Sequence, residues 1–199
     1  MAVLRQQCPW DSQQTHRSLV PYLVEESLEV VEAIETGDRD HLCEELGDLL
    51  LQVVFHAEIA RESADGFDLE QVAAGIADKL VARHPHVFGP ATARVDVAEL
   101  NVTWEQRKAV EKGRTSVLDG IPDQLSALAK ATKIISRARS RSVDVTMPAK
   151  PIEPAELGEQ VLELVARAQS SGFDAEQAVR DAVRRLEATV LAAEAAARP

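Results

Sequence analysis

Apolar residues recur at three- and four-residue steps along most of this chain. That is the period of helices with one buried face, and no set of alternating strands competes with it. From Thr15 to Glu35 the spacing is kept by Leu19, Leu23, Val24, Leu28, Val31 and Ile34. Gly37 then supplies a helix stop, and Asp38 or Asp40 can cap a second helix over Asp40 to Ser63, which carries Leu42, Leu46, Leu49, Leu50, Val53 and Val54. Asp65-Gly66 breaks that helix. A third runs from Asp68 to Arg83 and ends at His84-Pro85-His86, because proline disfavours helical geometry in the residue before it. A fourth is expected over Val97 to Lys112, and Gly113 to Pro122 is a connector. A fifth helix covers Gln124 to Arg141, and two Ala- and Glu-rich ones cover Ala155 to Ser171 and Asp174 to Ala197. Pro148, Pro151 and Pro154 mark the least regular stretch. The pattern predicts an all-α fold, with short connections that imply an antiparallel helical bundle.

An internal echo runs through these helices. Glu45-Leu46-Gly47-Asp48 and Gly66-Phe67-Asp68-Leu69-Glu70-Gln71 return as Glu156-Leu157-Gly158-Glu159 and Gly172-Phe173-Asp174-Ala175-Glu176-Gln177. The C-terminal third therefore reads as a worn copy of the second and third helices.

Charge adds a constraint. The 199 residues hold 22 Lys plus Arg against 33 Asp plus Glu, a net charge of -11, and aromatics are only 4%. Such a chain repels nucleic-acid backbones, so no nucleic-acid partner is expected, while a divalent cation stays open. The most apolar run, Leu49 to Phe55, is far too short to cross a membrane. No secretory leader is apparent, so Cys8 and Cys43 are expected as free thiols in a cytoplasmic setting.

The chemistry gathers in the first two helices. Glu26 and Glu29 share a helix face, as do Glu45 and Asp48. Glu29 and Glu45 lie equally far from Gly37, about 12 Å along their helices at ~1.5 Å per residue, and Glu26 and Asp48 lie one turn farther. An antiparallel hairpin brings the four carboxylates level. Glu45 and Asp48 sit among leucines, where bare carboxylates would repel each other and lose hydration. A hard cation removes both penalties, and an all-oxygen set favours Mg²⁺ or Mn²⁺ over Zn²⁺. The ordinary alternative is a solvated acidic face, where Glu32 and Glu35 belong. Lys79 and Arg83, four apart on the third helix, and Lys108 near Trp104 on the fourth, could serve phosphate chemistry or simply be surface charges and a core anchor.

These residues together resemble the MazG family of nucleoside triphosphate pyrophosphohydrolases. The resemblance runs through Cys8-Pro9-Trp10-Asp11, Gln14-Thr15-His16, Glu25-Glu26-x-x-Glu29 and Glu45-Leu46-Gly47-Asp48-Leu49-Leu50. It continues in Asp78-Lys79-Leu80, Arg83-His84-Pro85-His86-Val87-Phe88, Trp104-Glu105 and Ser116-Val117-Leu118-Asp119-Gly120-Ile121-Pro122. It implies Mg²⁺-dependent hydrolysis between the α- and β-phosphates of a nucleoside triphosphate substrate. Glu26, Glu29, Glu45 and Asp48 would be the metal ligands, with Glu25 beside them to orient or deprotonate water. Lys79 and Arg83 would contact the triphosphate, and Trp104 and Lys108 would lie on the substrate side. The family also implies a homodimer or higher homo-oligomer. On this view residues 1–122 form the catalytic domain. Residues 123–199 form a connector and a degenerate second unit that has lost its Glu-Glu-x-x-Glu helix and its catalysis. Two other possibilities are a narrower dUTP- or dCTP-type pyrophosphatase and a non-enzymatic helical regulator that keeps a structural Mg²⁺.

Overall fold

The computed structural model describes residues 1–89, 104 and 107–197, and among these every regular element is helical. Contacts divide the chain into two compact units, Met1–Pro90 and Ala91–Pro199.

The first unit is built on a hairpin of two long helices. Helix α2 (Val20–Thr36) starts five residues later than the apolar spacing predicts. Thr15 and Ser18 are the cause: the Thr15 N–H donates to Ser18 Oγ at 2.9 Å and the Ser18 N–H donates to Thr15 Oγ1 at 3.1 Å, a polar turn that competes with helix. Pro21 then falls in the first turn, where a missing N–H costs no hydrogen bond. Gly37 closes α2 with φ +74°, a left-handed conformation that a side chain resists. Asp38 caps α3 (Arg39–Arg61) by accepting from the N–H groups of Asp40 and His41 at 3.0 and 3.1 Å. At the far end of α3, a Cβ on Gly66 would fall 1.7 Å from the Ala60 carbonyl oxygen, so only glycine fits there. Helix α4 (Leu69–Arg83) packs against α3 and opens on a reciprocal capping box between Asp68 and Gln71.

Three short elements escape the periodicity: α1 (Ala2–Gln7), a 3₁₀ turn at Asp11–Gln13, and α5 (Pro85–Phe88). Pro85 both ends α4 and begins α5, since its fixed φ suits a first helical position. The buried apolar residues of this unit are few and mostly small: Leu19, Ala33, Phe55, Ala57 and Ala60.

The second unit has its own core. Residues 107–111 are helical, but most of the helix expected over Val97 to Lys112 lies outside the described residues. Helix α6 (Ala127–Ser140), capped by Ser126, packs on α8 (Ala175–Ala196), and α7 (Pro154–Ser170) lies against α8. Val117, Ala127, Ile134, Val183 and Val190 form the core. Buried Arg137 holds the preceding loop by donating to the carbonyls of Val117 and Asp119 at 3.0 and 2.9 Å, and Glu194 accepts from the Val117 N–H at 2.7 Å. Residues 143–153, around the three prolines, have no regular structure. The echo of α3–α4 in α7–α8 extends to the cap: Asp174 accepts from the Gln177 N–H at 3.0 Å, as Asp68 does from Gln71 at 2.8 Å.

Candidate metal centre

The α2–α3 hairpin sets the register of the acidic residues. Glu26 and Glu29 are one turn apart on α2, Glu45 and Asp48 one turn apart on α3, and the Gly37–Asp38 connection turns the helices back on each other. Carboxylate oxygens of Glu26, Glu29 and Glu45 all lie within 4.8 Å of one another. Glu45 is only 8% exposed, and Glu26, Glu29 and Asp48 are half-buried. Asp48 stands outside this tightest group but is the charge acting most strongly on Glu26, as Glu45 is on Glu29. Glu25 points to the exposed side beside them.

This arrangement is electrostatically costly without a cation. Burial pushes the Glu26 carboxyl above the usual carboxylate range, and Asp48, Glu29, Glu45 and Glu25 add repulsion. Glu29 is pushed up by burial and then by Glu45 and Glu25, with a hydrogen bond to Glu26 acting the other way. One partner escaped the sequence reading: His41 Nε2 lies 3.0 Å from Glu45 Oε1, one turn before it on α3. The i,i+4 spacing of His41 and Glu45 was the available signal.

The donor set suits a hard divalent ion. Oxygens bound to one such ion at about 2.1 Å lie at most ~4.2 Å apart, so small side-chain movements close the present spacing around it. No thiolate or imidazole joins the three carboxylates in this group among the described residues.

Lys79 and Arg83 are one turn apart on α4. Lys79 is exposed and lines a groove of about 410 Å³ with Phe67, Gln71, Val72, Gly75 and Ile76. Arg83 is half-buried and engaged in interactions. Trp104 and Lys108 belong to the second unit, each half-buried and each engaged. Cys8 and Cys43 are free thiols. Among the described residues no helix is long and apolar enough to cross a membrane.

Comparison with known proteins bears on the same stretch of the chain. The model of the MazG nucleotide pyrophosphohydrolase domain matches residues 14–88, the span that holds α2, α3 and α4. An uncharacterized 26.1 kDa protein of Streptomyces cacaoi is 46% identical over 194 residues, covering 96% of this chain and 78% of its own length. The nucleoside triphosphate pyrophosphohydrolase/pyrophosphatase MazG of Thermotoga maritima is 38% identical over 198 residues, with 89% of this chain and 75% of that protein aligned. The nucleoside triphosphate pyrophosphohydrolase of Escherichia coli is 46% identical over 142 residues, 70% of this chain but 53% of that protein. The chain thus spans about half the length of the latter relative. The domain match over the span of the hairpin, and 38% identity to the T. maritima protein along most of both chains, place this chain in the MazG family.

Proposed function

We propose that the protein is a metal-dependent nucleoside triphosphate pyrophosphohydrolase that splits the α–β phosphoanhydride, yielding a nucleoside monophosphate and pyrophosphate. The convergence of the Glu26, Glu29 and Glu45 carboxylates carries this reading. The names of the E. coli and T. maritima relatives support the substrate class.

Glu26, Glu29, Glu45 and Asp48 hold the ion, for which Mg²⁺ is our assignment and Mn²⁺ the nearest substitute. When bound, such an ion neutralises phosphate oxygens and lowers the pKa of a coordinated water. Glu25, exposed beside the ligands, orients the attacking water or takes its proton. Lys79 and Arg83 bind the phosphates and offset the charge that builds on them in the transition state, and Trp104 and Lys108 are substrate-side residues. Holding water in line with the scissile bond removes much of the entropic barrier.

Residues 1–122 supply catalysis and residues 123–199 a non-catalytic degenerate unit. The working form is a homodimer, supported by exposed apolar stripes on the hairpin: Val20, Val24, Leu28 and Val31 on α2, and Leu46, Leu50 and Val53 on α3. The protein acts in the cytoplasm on surplus or aberrant nucleotides, with neither nucleic acid nor membrane as partner.

A panel of canonical and oxidised nucleoside triphosphates with Mg²⁺ tests the reading. Monophosphate and pyrophosphate should form in equal amounts, stop on chelation, and fall by about 100-fold or more in Glu29→Ala. Diphosphate plus orthophosphate as products, or an undiminished rate in Glu29→Ala, would overturn it.

A further inference from the structure

His41 touches the most buried carboxylate of the cluster yet stands outside the ligand group. Its Nε2 is 3.0 Å from Glu45 Oε1, one turn away on α3. A carboxylate only accepts, so this contact places the ring proton on Nε2. The Glu45 side chain is 10% exposed and the imidazole 37%, so little water reaches the carboxylate to steady it. Among the described residues, His41 is the one basic side chain at ion-pair distance from Glu26, Glu29, Glu45 or Asp48. The charges acting most strongly on Glu26 and Glu29 are other carboxylates.

The ring is anchored through its own backbone. Asp38 caps α3 and accepts from the His41 N–H at 3.1 Å, and Gly37, at φ +74°, turns the chain into that cap. Residues four apart on a helix meet without help from distant packing. The path from the hairpin turn to the buried carboxylate is therefore local: cap, backbone, ring, carboxylate. Contacts of this kind form with the helix itself.

We propose that His41 is a positioning residue of the metal centre, holding the Glu45 carboxylate in the orientation that a divalent cation needs. The role rests on the metal-dependent reading of the hairpin and deepens it by one residue. A glutamate side chain that is free loses rotamer freedom on binding an ion, and one already held loses less. Partners that orient metal ligands are worth about 10- to 100-fold in affinity at metal sites generally. The ordinary alternative is an i,i+4 pair that only supports α3. It predicts a change in stability and none in metal affinity.

Titration of the full chain with Mn²⁺, the free ion read by electron paramagnetic resonance, tests the role without substrate or turnover. The tightest Mn²⁺ should bind His41→Ala about tenfold or more weakly than wild type. His41→Leu keeps the bulk, lacks the N–H and should lose as much, so it carries the test even if His41→Ala does not fold. His41→Gln restores an N–H donor at similar reach and should bind within about threefold of wild type. Asp68→Ala, which weakens the cap of α4 instead, should melt lower with Mn²⁺ affinity unchanged. Circular dichroism on each sample checks that the helices are kept. Wild-type affinity in folded His41→Ala or His41→Leu overturns the positioning role and leaves the metal reading intact. So does an equal loss in His41→Gln or in Asp68→Ala. Wild type that binds no Mn²⁺ overturns both.

Discussion

Glu26 and Glu29 put a sign on the pH dependence of the metal-free protein. Their carboxyls are pushed above the usual range in the folded chain, so between the unfolded and folded values the native state holds more protons than the unfolded one. Stability from these groups is present at acid pH and falls as pH rises through the folded values. Without divalent ions, Glu29→Gln should therefore melt above wild type at pH 8, and the two should converge below the carboxylate range. Adding Mg²⁺ at pH 8 should raise wild type and leave Glu29→Gln behind, as read by thermal denaturation. The meeting of Glu26, Glu29 and Glu45 was legible because helical spacing and a two-residue turn fix positions along both helices. His41 was not, since a lone His on a helix has no pattern until its surroundings show it beside a buried carboxylate.

At the scale of elements, the caps carry the boundaries. Asp38, Asp68 and Asp174 each accept from backbone N–H groups at a helix start, and Asp38 was legible in the sequence as one of two candidate caps with Asp40. Asp68→Ala should cost about 1 kcal/mol of stability, measured by chemical denaturation, with Mg²⁺ affinity unchanged. The start of α2 was misread because apolar spacing continues through Leu19, whereas the Thr15–Ser18 side-chain bonds and Pro21 decide where helix begins. Helix α1 and the 3₁₀ turn were invisible for another reason: elements of six and three residues are too short to display a period, and they are held by Arg5 and Trp10 rather than by propensity.

For the molecule as a whole, the charge of -11 divides into a solvated coat and a small concentrated cluster. The all-α class followed from the period of apolar residues, but their number overstated the core. Leu28 and Leu50 carry the helical spacing of buried residues yet are 63% and 59% exposed. A partner surface reconciles the two observations. Leu28→Asp or Leu50→Asp should shift the protein from dimer to monomer in sedimentation velocity, and a monomeric wild type would remove the dimer from the proposal.

Everything in the functional reading passes through Glu45, the most buried of the convergent carboxylates. The decisive experiment is pyrophosphate release by Glu45→Gln at saturating Mg²⁺, with circular dichroism on the same sample. A rate lower by orders of magnitude in a protein with undiminished helix is expected. A wild-type rate from that folded variant would refute a catalytic metal centre on the α2–α3 hairpin.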